Sequence, residues 1–140
     1  ALCYDVHSYA SHYLDTGSFA VYAAVDPPKA AEATRALLDE LAKVRDAGVT
    51  EEELLKAKEL SKGRLLLRME DTRAVSGWLG GQEMLNGRVR TPDEVVALLE
   101  AVTGDDVRRV ARRLIDEKRL TMAVVGPFKS DRRFAALLKG

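Results

Sequence analysis

The sequence predicts an α+β domain in which several helices pack against an antiparallel sheet. Three observations carry that expectation. The first 25 residues alternate in the strand manner and are rich in Tyr, Val, Phe and Ala. A long middle stretch repeats its apolar residues with the period of a helix, and the end returns to alternation at Leu120 to Val125. Strands and helices are thus segregated along the chain, which argues for an antiparallel sheet with helices on it and against the alternating order of a parallel sheet.

From Leu2 to Val25 the pattern predicts two strands joined around Leu14, Asp15, Thr16 and Gly17. In the second strand Phe19, Val21, Ala23 and Val25 share one face and Ala20, Tyr22 and Ala24 the other. Both faces are apolar enough to predict cover on more than one side. At Asp26-Pro27 the period lengthens to that of a helix, with Asp26 placed as N-cap and Pro27 at the first helical position. Ala30, Ala33, Leu37, Leu38, Leu41 and Val44 form its apolar stripe, and Gly48 is its stop.

Thr50 and Glu53 then form a capping box, the strongest local signal in the chain. A helix is expected from there to Leu67, and another from about Thr72 to Asn86, bent or thinned at Gly77, Gly80 and Gly81, where a close neighbour could enter. Thr91-Pro92-Asp93-Glu94 repeats the cap, and Thr103 to Asp106 offers a further one, so two shorter helices are expected. A third strand over Leu120 to Val125 and a short helix between Ser130 and Leu138 complete the order. Three strands make a thin sheet, and the chain opens without Met in a strand-like pattern. The expectation is one domain, residues 1–140, truncated at its N-terminus and lacking upstream strands.

Composition narrows the function classes. The 140 residues hold 22 basic and 22 acidic side chains, so no net field draws the chain to nucleic acid or an anionic membrane. The arginines at 108, 109, 112 and 113 lie on the polar face of an amphipathic helix, offset by Asp105 and Asp106, and no aromatic residues interleave them. That pattern predicts a solvated face. No apolar run approaches the roughly 20 residues of a membrane span. Cys3 is the single cysteine, which excludes an internal disulfide and fits a reducing compartment; without a nearby activating base it is expected as a buried structural thiol. His7 and His12, five apart on a strand, fall on opposite faces, and no H-x-x-E-H occurs, so no metal site is expected within the chain.

An ordered string of short motifs says more than any one of them. Leu2-Cys3-Tyr4, Ser8-Tyr9, Asp15-Thr16-Gly17, Asp26-Pro27, Thr50-Glu51-Glu52-Glu53-Leu54, Gly81-Gln82-Glu83, Val107 to Ala111 and Ala123-Val124-Val125-Gly126-Pro127 run across nearly the whole chain. This string resembles the second, non-zinc domain of the pitrilysin/insulinase zinc metallopeptidases, and it is similar to the β-subunit of mitochondrial processing peptidase and its bacterial relatives. The resemblance implies a half domain of the metallohydrolase type. Its partners would be a homologous zinc-binding N-terminal domain, in the same chain or another subunit, and a peptide substrate; a dimer is compatible with that arrangement. Zinc would be held by that other domain, and this chain would close the substrate chamber and be inactive alone. A bacterial cytoplasmic location follows from the same resemblance.

Active members carry an arginine and a tyrosine in a segment resembling R-x-x-R-G-L-A-Y. Tyr4 occupies the tyrosine position, and the arginine position lies before Ala1. By resemblance Tyr4 contacts the scissile carbonyl in the transition state. Ala1, Cys3 and Gly81 replace the residues usual in the family, so a non-catalytic scaffold or regulatory subunit of the same fold is the alternative implied.

Overall fold

A computed structural model describes residues 1–138, with the side chain of Glu117 outside the described set. The chain resolves into two compact units, residues 1–48 with 108–140, and residues 49–107.

The first unit opens with a ribbon of two strands, β1 (Asp5–His12) and β2 (Gly17–Ala24). They pair antiparallel, with Asp5 opposite Ala24, His7 opposite Tyr22, Tyr9 opposite Ala20 and His12 opposite Gly17. The hairpin is closed by Tyr13 N–H donating to Thr16 O at 2.9 Å, where Asp15, Thr16 and Gly17 predict a turn. A 3-10 turn over Pro27–Lys29 follows. Asp26 stands at its N-cap in extended conformation, as expected, but its side chain makes no capping hydrogen bond.

Helix α1 (Ala30–Asp46) continues from that turn. Its first turns supply most of the buried core: Ala30, Ala31, Ala33 and Thr34 are buried, and the Thr34 hydroxyl donates to Ala30 O at 2.8 Å. Gly48 ends the connection with φ of +84°, a conformation that carries a steric cost for any side chain. Helix α5 (Gly104–Leu114) contributes buried Ala111, and α6 (Arg132–Leu137) packs on α1 and contributes buried Phe134. The Phe134 ring meets Phe128 edge to face at 5.1 Å.

In the second unit every helix predicted from capping is present. Helix α2 (Glu51–Arg68) carries the complete capping box, Thr50 accepting from Glu53 N–H while the Glu53 carboxylate accepts from Thr50 N–H at 2.8 Å. Helix α3 (Thr72–Asn86) is capped by Asp71 and closed by Gly87 in the left-handed region. It runs unbroken through Gly77, Gly80 and Gly81, and a Cβ at any of these would meet nothing within 4 Å, so the expected close neighbour is not there. Helix α4 (Pro92–Glu100) starts on the second complete box, Thr91 with Glu94, and packs against α2. Helix α5 (Gly104–Leu114) begins behind Thr103, whose hydroxyl donates to Asp106 Oδ2 at 2.7 Å.

Two expectations need correction. Residues 120–125 form no strand: among the described residues the sheet has only β1 and β2. Alternation alone does not make a strand, because the backbone N–H and C=O groups need a neighbouring strand to pair with. The second correction concerns β2, none of whose residues is buried. A cleft of about 510 Å³ lies along it, lined by Phe19, Val21, Leu37, Leu41, Leu120 and Met122 among others. The apolar face that the pattern marks for cover therefore fronts an open cleft.

Candidate functional site

Tyr4, the residue singled out by its motif, stands just before β1, and its side chain is open to solvent, with the residue 80% exposed. Its backbone is held firmly. Tyr4 N–H donates to Ala24 O at 2.7 Å, although Ala24 is already the register partner of Asp5. The Ala24 carbonyl thus ties the residue just before β1 to the end of β2. Leu2 and Cys3 before it are half-buried, so the thiol is less enclosed than the sequence suggests. Lys29 Nζ donates to Ala1 O at 3.2 Å, tying the start of the chain to the turn that precedes α1.

The register gives the ribbon two chemically different faces. Val6, Ser8, Ala10 and His12 share one with Phe19, Val21 and Ala23. Asp5, His7, Tyr9 and Ser11 share the other with Ser18, Ala20, Tyr22 and Ala24. On this second face the His7 Nδ1–H donates to Asp5 Oδ2 at 3.2 Å. The His7 ring lies 5.0 Å from Tyr22 and 6.1 Å from Tyr9, centre to centre.

Sequence reasoning weighed the histidines only as metal ligands and passed over this cluster. The available signal was the Asp5-x-His7 spacing, which on a strand places acceptor and imidazole side by side on one face. As expected from their odd separation, His7 and His12 are on opposite faces.

Among the described residues no group of three or more His, Cys, Asp or Glu side chains is placed to hold a metal ion. The remaining charge clusters are helix hardware. Lys62 bridges Glu59 and Glu100 at 2.8 Å each, and its hydrogen bond to Glu100 is the main cause that raises its pKa above the ordinary lysine value. Lys58 Nζ donates to Glu100 O, one of the last carbonyls of α4. The Asp46 carboxyl is held below its usual range chiefly by hydrogen bonding to Arg45. No helix among the described residues is long and apolar enough to cross a membrane.

Comparison with known proteins places this geometry. Residues 1–61 match the family profile described as the Peptidase M16 inactive domain. A protein of Streptomyces coelicolor named as an uncharacterized zinc protease is 36% identical over 128 residues, covering 91% of this chain and 28% of that protein. A Bacillus subtilis protein of the same description is 32% identical, covering 90% of this chain and 31% of the relative. The β-subunit of bovine mitochondrial-processing peptidase is 30% identical over 129 residues, which is 91% of this chain and 26% of the subunit. Among solved structures, a chain of complex III2 from Candida albicans superposes with a TM-score of 0.71 at 22% identity, covering 77% of this chain and 26% of that one. The fold is therefore shared, and this chain spans less than a third of the length of the relatives it matches.

Proposed function

For a chain that belongs with the inactive, non-zinc domain of the M16 peptidases, we propose a role as the closing half of a zinc endopeptidase acting on peptides. In this reading residues 1–140 are part of one C-terminal domain. A homologous domain, in the same chain or a partner subunit, supplies the zinc, and the two halves enclose the substrate in a bacterial cytoplasm. Zinc there acts as a Lewis acid on the scissile carbonyl.

The observation that carries the reading onto this chain's own residues is the position of Tyr4. It has a backbone hydrogen-bonded to Ala24 and a side chain open to solvent, so its phenol is accessible to a substrate. As the carbonyl carbon becomes tetrahedral its oxygen gains negative charge, and a phenolic O–H aimed at that oxygen forms a stronger hydrogen bond than it does to the ground state. Only a contact that strengthens in this way lowers the barrier. Tyr4→Phe in the full-length protein removes the donor and keeps the ring. Expected is a fall in kcat of about 100-fold with KM little changed, measured on a fluorogenic peptide. An unchanged kcat would remove Tyr4 from the mechanism.

A second reading, a non-catalytic scaffold or regulatory subunit, is favoured by the departures at Ala1, Cys3 and Gly81 from the residues usual in the family. The two readings part on the zinc motif. An intact H-x-x-E-H in the full-length protein or its co-purifying subunit supports the enzyme, and its loss from both supports the scaffold.

A further inference from the structure

We propose that the cleft beside β2 is a strand position of the full-length protein, filled by a β-strand from the segment preceding Ala1. That strand pairs with the outer edge of β2 on one side and with residues 120–125 on the other. The inference does not depend on the peptidase reading.

One wall of the cleft is a free strand edge. Thr16, just before β2, and Ala24, at its end, both turn their carbonyls toward the β1 side, accepting from Tyr13 N–H at 2.9 Å and from Tyr4 N–H at 2.7 Å. Successive strand residues turn their backbone groups to opposite edges, and these two stand an even number of residues apart. Gly17, Phe19, Val21 and Ala23 therefore direct N–H and C=O away from β1, where the described residues offer no paired strand. The cleft of about 510 Å³ follows this edge, because residues 17–21 line it without a gap. Alternate side chains point to opposite faces, so an unbroken run lines an edge and not one face alone.

The facing wall is equally open. Residues 119–122 line it, and among the described residues the backbone of 120–125 makes no hydrogen bond to other backbone groups. Between the walls lie Thr34, Leu37, Leu38 and Leu41 of α1. Two open backbone edges over an apolar floor match one extended segment, which pairs to both sides and sets alternate side chains on the floor. A helix, with its backbone paired internally, would leave both edges without partners.

The protein's own chain is the occupant the sequence favours. Leu120-Thr121-Met122-Ala123-Val124-Val125 carries no charge, Pro or Gly, and such a segment left open is a template for aggregation. It needs constant cover, which a peptide that enters and leaves does not supply. The chain spans less than a third of its relatives, so a full-length protein of their size holds ample sequence for another strand. At the start of the chain Leu2 and Cys3 are half-buried, and Ala1 O accepts from Lys29 Nζ beside the first residue of α1. The entering chain is thus already laid against the helix that floors the cleft.

The test follows amide hydrogen exchange by mass spectrometry in the full-length protein without added peptide. Amides of residues 119–125 are expected to exchange at least about 100-fold more slowly than in an unstructured peptide of the same sequence. Equal rates overturn the inference. Protection is expected to persist through an about 100-fold dilution, and protection that fades on dilution gives the position to a second copy and overturns it. So does protection that appears only when a peptide substrate is added. Photo-methionine in place of Met122 then identifies the neighbour with little change of shape. A cross-link from that position to a residue preceding Ala1 is expected. The absence of an upstream link, whether the product falls within residues 1–140, after Gly140, on another copy or nowhere, is equally fatal. None of these readouts involves Tyr4 or zinc, so failure of the peptidase reading shows separately, in kcat.

Discussion

The two compact units are ordered by different means. In the first, small residues at the start of α1 together with Ala111 and Phe134 are removed from solvent, and the ribbon and helices come from sequence positions as far apart as 5 and 137. The second holds α2, α3 and α4 without a single buried residue, and Leu55, Leu60, Leu66, Leu67, Leu79 and Met84 remain exposed. Its helices are set by their ends, through two complete capping boxes and the Asp71 cap, and by Lys62 bridging Glu59 and Glu100. The difference teaches that the ends of the second unit's helices are set locally, because capping side chains pair first-turn N–H groups that the helix itself leaves without partners.

That contrast breaks most visibly on a core truncation. Phe134→Ala should cost about 3 kcal/mol, since it empties a buried aromatic site and removes the edge-to-face partner of Phe128. Leu67→Ala, at an exposed position of α2, should fall within about 0.5 kcal/mol of the parent. Urea denaturation of both variants decides the matter, and equal losses would mean that the two units do not differ as described. A smaller effect is expected at the caps. Thr50→Ala should lower stability by about 1 kcal/mol, and amide exchange should rise in the first turn of α2 before it rises in α1. A uniform rise across both units would contradict local control by the cap.

The smallest effect sharpens the comparison through acid. The Glu53 carboxyl is held below the ordinary glutamate value of 4.5, first by the backbone N–H of Thr50, and Glu94 likewise by the backbone N–H of Thr91. A carboxyl whose folded pKa is depressed contributes stability that is present above 4.5 and is lost as pH falls through the lower folded value. The Tm followed by far-ultraviolet circular dichroism should accordingly drop between pH 6 and pH 3. In a Glu53→Gln, Glu94→Gln double variant the amides still accept but do not titrate, so the drop should be smaller. A drop of equal size in parent and variant would assign the acid sensitivity elsewhere.

Much of the molecule was legible because its signals are local. Thr50 with Glu53, Thr91 with Glu94 and the turn at Asp15 to Gly17 each act over a few residues, and each appears where the sequence puts it. Tyr4 was legible as a motif position, whereas the hydrogen bond that ties its backbone to Ala24 was not. The Asp5-His7-Tyr22 grouping was half legible: the Asp5-x-His7 spacing places two members on one face, but Tyr22 joins them only through a register that no stretch of β1 can specify alone.

By itself, then, the sequence determined where helices start and stop, which residues share a strand face and which family string the chain carries, since these depend on neighbours within a turn or two of backbone. Tertiary structure alone decided that residues 120–125 stay unpaired, that the apolar face of β2 fronts a cleft, and that His7 meets Tyr22. Those outcomes depend on hydrogen bonds and contacts between distant segments, and a strand pattern states only that a residue could pair, never that a partner has arrived.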